Sequence, residues 1–198
     1  MEKYNLLYID DSPEQGLSRY LDSEYSNNKC EINYSEIKFR PEDGYECLIR
    51  NAKVQEANII FIDSRLFENR SAADGKFTGE EFKIILKKYY PFIEVIVITQ
   101  NEAEPNVGTI SKYDSSYGKT SKEYYDELLP DIIDKSIDNI SIYRRLAGKL
   151  ETNSSWERAL IEIILNSLNG IGAYDELSKT DIDKLIFEFK QIQEKIDG

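Results

Sequence analysis

Residues 5–13 read NLLYIDDSP: Asn5 to Ile9 form a compact apolar run, closed abruptly by Asp10, Asp11, Ser12 and Pro13. A buried parallel strand gives way to a loop and a helix in this manner. Pro13 suits the first turn of a helix capped by Ser12 or Asp11. That helix is expected to reach about Asp22, with Leu17, Tyr20 and Leu21 turned inward.

The same alternation repeats downstream. Glu31 to Ile37 (EINYSEI) alternates and predicts a second strand near a sheet edge. Gly44 to Ala52 reads as a short helix, and Ala57 to Asp63 (ANIIFID) as a strand of four consecutive apolar residues ending on an acid. Gly79 to Tyr90 places Phe82, Ile85 and Leu86 at helical spacing before Pro91 stops the helix. Glu94 to Thr99 (EVIVIT) is a fourth strand, and Thr109 to Ser111 a short fifth. Strands alternating with helices predict an α/β fold, a doubly wound, parallel, five-stranded sheet, whose ligand site lies at the carboxyl ends of the strands.

From about Ser121 the pattern is wholly helical. Lys122 to Leu150 reads as a long helix with Leu129, Ile133, Ile137, Ile140, Tyr143 and Ala147 on one side, which Pro130 either kinks or divides. We divide the chain into an α/β domain over 1–150, including this helix, and an α-helical C-terminal extension over 151–198. In the extension, Trp156 to Leu168 is amphipathic and Asn169 to Gly172 breaks the pattern. Thr180 and Asp183 resemble a capping box, and Ile182, Leu185, Phe189, Ile192 and Ile196 form a heptad-spaced seam. That seam packs on the Trp156 helix or serves as a dimer or partner surface.

Composition bounds the function. The chain has 198 residues, is 40% hydrophobic and carries a formal charge of −12, which disfavours nucleic acid or an anionic membrane as main partner. The segment from Glu151 onward holds ten acids against five bases, the wrong sign for a helix-turn-helix reading DNA. Histidine is absent, which excludes Ser-His-Asp and Cys-His catalysis, histidine metal sites and a phosphohistidine on this chain. Two cysteines, Cys30 and Cys47, make neither a disulfide framework nor a metal motif. No apolar run approaches the roughly 20 residues of a membrane span, and the N-terminus turns acidic too soon for a signal peptide. A cytoplasmic protein is expected. The fourteen tyrosines read as scattered half-buried positions.

Asp10 and Asp11 follow the first strand and Asp63 ends the third, so neighbouring strands gather three carboxylates at one edge. Such acids repel one another unless a cation joins them, and all-oxygen ligands suit Mg²⁺. Gly118-Lys119-Thr120 imitates the end of a P-loop, but Tyr113 stands where its first glycine must be.

Asp10-Asp11 after strand one, Asp63 ending strand three, Thr99 ending strand four and Lys112 just after strand five give the chain its resemblance to a family. Over roughly residues 3–145 it resembles the receiver domain of two-component response regulators, a flavodoxin-like fold. That resemblance implies Asp63 as phosphoacceptor, Asp10, Asp11 and Asp63 as holders of Mg²⁺, and Thr99 and Lys112 as contacts of the phosphoryl group. Lys119 is a competing candidate for that lysine if the fifth strand is shifted. It also implies a separate histidine kinase or phosphotransfer protein as donor, and a non-enzymatic, protein–protein output, here through the helical tail. The chemistry agrees: a carboxylate forms an acyl phosphate, while a cation, a lysine and a hydroxyl neutralise the phosphoryl oxygens.

Several positions depart from the family pattern. The loop after Asp63 is long and lacks the usual Met-Pro turn, and the segment between Thr99 and Lys112 is too short for a full fourth helix. Gln100 follows the threonine, Tyr113 follows the lysine, and Thr109 stands where an aromatic switch residue is expected. Two alternatives stay open: a phosphorylation-independent pseudo-receiver, and a Mg²⁺-dependent phosphoester hydrolase.

Overall fold

A computed structural model describes residues 1–40, 44–67, 78–100 and 109–152, together with Arg158, Ile161, Glu162 and Leu165. The strands are β1 (Glu2–Asp10), β2 (Cys30–Lys38), β3 (Ile59–Asp63), β4 (Glu94–Thr99) and β5 (Thr109–Ser111). The helices are α1 (Gln15–Arg19), α2 (Tyr45–Ile49), α3 (Ala52–Glu56), α4 (Gly79–Tyr89) and α5 (Ser121–Glu151). A π-helical turn, Tyr20–Glu24, prolongs α1, and a 3₁₀ turn, Ser115–Tyr117, precedes α5. The segments expected to form the loop after Asp63 and the shortened fourth-helix region lie largely outside the described residues. So do the Trp156 helix, apart from four positions, the Thr180 cap and the apolar seam. No described helix is long and apolar enough to cross a membrane.

The five strands form one sheet in the order β2-β1-β3-β4-β5, and every neighbouring pair is parallel. The fold is therefore α/β, a five-stranded parallel sheet with helices on both faces. β1 lies between β2 and β3, so the chain leaves β1 toward one edge and returns on its other side. That reversal opens a crevice beyond the carboxyl ends of β1 and β3, where open α/β sheets bind ligands.

Side-chain alternation sends each strand's residues to two distinct cores. Tyr4, Leu6, Tyr8, Ile59, Phe61, Ile96 and Ile98 pack against α1, the π turn and α5. Leu7, Ile9, Ile60, Ile62, Val95 and Val97 pack against α2, α3 and α4. The central strands are buried on both faces, which is why they read as unbroken apolar runs.

Two helices begin on reciprocal capping boxes, Thr78 with Glu81 at α4 and Thr120 with Glu123 at α5. α5 continues through Pro130 as one element rather than dividing there. Leu129 and Ile133, both fully buried, hold it to the sheet on either side of the proline. Burying such a side chain contributes about 1.5–3 kcal/mol, enough to offset the one hydrogen bond that Pro130 cannot donate.

Candidate functional site

Each strand of the crevice delivers one residue. Asp10 ends β1 and is wholly buried; Asp63 ends β3 and is 5% exposed. Backbone bonds just past the strand ends hold the loops that carry these acids. Phe39 N–H donates to the Asp10 carbonyl at 2.9 Å, and Ser64 N–H to the Ile98 carbonyl at 2.7 Å. Across the crevice, Lys112 N–H donates to the Thr99 carbonyl at 2.7 Å, extending the β4–β5 ladder by one residue. The first residue of α4, Gly79, donates its N–H to the Ser64 carbonyl at 2.8 Å. A Cβ there would stand 2.6 Å from the Asp63 carbonyl oxygen, so only glycine lets the helix seat this closely behind the acid.

Asp10, Asp11 and Asp63 each offer a carboxylate oxygen, and these oxygens lie within 4.8 Å of one another. The Lys112 ammonium stands 2.6 Å from Asp63 Oδ1 and 2.8 Å from Asp10 Oδ2. Asp63 Oδ2 accepts the Arg65 N–H at 2.9 Å. Lys119, the other lysine left open by the sequence, is half-exposed and pairs with Glu127 on α5. Thr99 is buried at the end of β4, one residue beyond the partner of Asp63 in the β3–β4 register.

The electrostatics follow from two buried carboxylates sharing one ammonium. Burial pushes the Asp63 carboxyl above its ordinary range; the Lys112 bond and charge pull it down, and the nearby Asp10 charge pushes it up again. Burial presses Lys112 downward, but its bonds to Asp10 and Asp63 outweigh that and hold it above the usual lysine range. Attraction is thus strong enough to keep the ammonium charged, while burial still leaves the Asp63 carboxyl above its ordinary range. An all-oxygen set of three acids with a net negative charge fits a hard divalent cation such as Mg²⁺.

The structure adds residues that the sequence reading passed over. Tyr8 donates its hydroxyl to Asp10 Oδ2 at 2.5 Å and accepts the Glu14 N–H at 3.3 Å. Strand period two places Tyr8 and Asp10 on the same face, and that spacing was the available signal. Glu14 lies beside the site, and its Oε2 accepts the Tyr125 hydroxyl of α5 at 2.5 Å. Tyr125 in turn accepts the Tyr113 N–H at 3.1 Å, next to Lys112. Burial raises the Glu14 carboxyl, and the Tyr125 bond and the Lys112 charge only partly reverse this. Ser12, Pro13, Glu14, Gln100, Lys112, Tyr113 and Asp114 line a polar hollow of about 510 Å³ at the mouth of the crevice.

No family model matches the chain, and no curated protein matches it. Among solved structures, the two-component response regulator RcsB in complex with DNA is similar at 16% identity and a TM-score of 0.38, covering 85% of this chain and 93% of that one. The parallel sheet in the order β2-β1-β3-β4-β5 and the acidic cluster at its carboxyl edge fit a receiver domain.

Proposed function

We propose that the chain is a receiver that accepts a phosphoryl group on Asp63 from a phosphohistidine of a separate protein. The observation that carries this reading is the Lys112 ammonium held between Asp63 Oδ1 and Asp10 Oδ2 at a topological switch point. In the proposed transfer, an Asp63 carboxylate oxygen attacks phosphorus, the phosphorus–nitrogen bond breaks, and the imidazole of the donor leaves with the bonding pair. Lys112, already beside Asp63, follows the developing negative charge onto the phosphoryl oxygens, while Asp10 keeps its other side. The Thr99 hydroxyl serves as a hydrogen-bond donor at the neighbouring strand end. Asp10, Asp11 and Asp63 would hold Mg²⁺, which supplies positive charge to the phosphoryl oxygens when bound. The cleft beside Glu14 and Tyr113 is where the donor protein's residue enters.

The output on this reading is protein–protein, through the helical extension, in a cytoplasmic signalling pathway and with a homodimer as one form. The chain is a substrate of phosphotransfer rather than an enzyme acting on other molecules. RcsB is described bound to DNA, whereas a charge of −12 argues against that partner here.

Mass spectrometry after incubation with a small phosphodonor and Mg²⁺ tests the reading. The wild type is expected to gain one acid-labile phosphoryl group and Asp63→Asn none. Equal labelling of both, or of neither, overturns it. One observation favours a phosphorylation-independent module instead: Thr109 replaces the aromatic switch residue, and its buried hydroxyl oxygen has no hydrogen-bond partner among the described residues. Unlabelled wild type that still binds its partner would establish that second reading.

A further inference from the structure

Glu14 is held in place from three sides. Its N–H donates to the Tyr8 hydroxyl at 3.3 Å, and its Oε2 accepts the Tyr125 hydroxyl of α5 at 2.5 Å. Gly16 leaves room for the carboxylate, because a Cβ there would stand 2.9 Å from Glu14 Oε1 and 2.8 Å from Ser121 Cβ. The residue so fixed borders the polar hollow at the mouth of the crevice. Lys112 borders the same hollow and reaches Asp63 Oδ1 at 2.6 Å. A phosphoryl donor that reaches Asp63 through this hollow therefore passes beside both Lys112 and Glu14.

The two groups suit opposite ends of one ligand. The Lys112 ammonium meets phosphoryl oxygens. Glu14 is short of compensation: burial raises its carboxyl, and the Tyr125 bond and the Lys112 charge only partly reverse this. A carboxylate has about four lone-pair directions, so one bonded hydroxyl leaves room for a further donor. A phosphorylated imidazole brings such a donor, the N–H of the ring nitrogen that does not carry phosphorus. An acyl phosphate has no N–H to offer.

We propose that Glu14 is a specificity-determining residue whose carboxylate accepts the ring N–H of an incoming phosphohistidine and so selects it over donors that lack that group. This inference rests on the reading of Asp63 as phosphoacceptor. An Asp63 oxygen bonds to phosphorus, the phosphorus–nitrogen bond breaks, and its electron pair stays on that ring nitrogen. The proton on the second nitrogen remains there, held by Glu14, so the leaving group is a neutral imidazole. A site that hydrogen-bonds a substrate N–H discriminates strongly against analogues without one. A Glu14 that only braced α1 against α5 through Tyr125 would affect every donor alike.

The test follows phosphoryl labelling of the full chain by mass spectrometry in the presence of Mg²⁺, with phosphoimidazole and acetyl phosphate as donors and circular dichroism to verify folding. Glu14→Gln is expected to slow labelling by phosphoimidazole about tenfold, through loss of a charge-assisted hydrogen bond, and labelling by acetyl phosphate by less than about twofold. Glu14→Asp, which keeps the charge but draws it back from the hollow, should show the same selective loss and keeps the test open if Glu14→Gln does not fold. Equal slowing with both donors, or no slowing with either, overturns the role of Glu14 while the receiver reading stands. Wild type labelled by acetyl phosphate but not by phosphoimidazole also overturns that role. Absence of labelling from both donors in the wild type overturns the receiver reading and this inference with it.

Discussion

The two faces of the sheet are built from different materials. Against α2, α3 and α4 the core is aliphatic and phenylalanine-rich, with Phe67 set edge-on to both Phe39 and Phe82 at 5.2 and 5.1 Å between ring centres. Against α1 and α5 the core is rich in tyrosine, and five of its hydroxyls end on carboxylates. Tyr4 donates to Glu2, Tyr8 to Asp10, Tyr25 to Asp134, Tyr34 to Glu36 and Tyr125 to Glu14. The apolar face supports Asp63 from behind through α4 with few groups that respond to charge. On the tyrosine face two of these bonds, Tyr8 to Asp10 and Tyr125 of α5 to Glu14, end on acids at the site or beside it.

The largest expected effect tests the apolar face. Phe82 is fully buried and packs on Phe67, so Phe82→Ala should cost about 3–5 kcal/mol. Urea denaturation should give the same loss in mildly acidic and mildly alkaline buffer, because no charged partner is involved. A loss that varies strongly with pH would show that the two faces are less distinct than their composition suggests.

Lys112 stands where the faces meet, and its removal is the next effect in size. Lys112→Met leaves Asp10 and Asp63 buried without their shared cation, a loss of about 3 kcal/mol. Excess Mg²⁺ should restore part of that stability in the variant more than in the wild type, as read by denaturation with and without the ion. The pH dependence has a definite sign. The folded-state value of Lys112 is raised, so its contribution is fully present below the ordinary lysine pKa and is lost as pH rises through the folded value. The wild type should therefore lose stability in strongly alkaline buffer, and Lys112→Met should lack that component.

These differences also explain what was legible beforehand. All five strands and the α/β class follow from residue order, because buried parallel strands announce themselves as apolar runs such as Ile59 to Ile62. The ends of β1 were harder. The strand begins at Glu2, earlier than its apolar run, because Lys3 pairs with Glu31 across the register and needs no burial. The acids at strand ends are visible as Asp directly after an apolar run. The choice between Lys112 and Lys119 was not, since β5 has only three residues and sets little register of its own. In the sequence the tyrosines are scattered, and only the fold gathers them on one face. Tyr125 and Glu14 are separated by 111 positions, and no periodicity spans such a distance.

The smallest expected effect isolates that last contact. Tyr125→Phe removes one buried hydroxyl and should cost about 1 kcal/mol near neutral pH. Its value lies in the pH dependence rather than the size. Burial already raises Glu14, and the Tyr125 hydroxyl is one of the groups that lowers it. Without the hydroxyl, Glu14 should rise further. An acid raised in the folded state takes up its proton more readily there than in the unfolded chain. Its proton-linked stabilisation is complete below the unfolded value and is lost as pH climbs through the folded one. The penalty of Tyr125→Phe should therefore be larger at about pH 7 than at about pH 4. Parallel denaturation curves for wild type and variant at the two pH values decide the matter. Equal penalties would mean that the hydroxyl merely fills space, and that the tyrosine face is as indifferent to charge as the phenylalanine face behind Asp63.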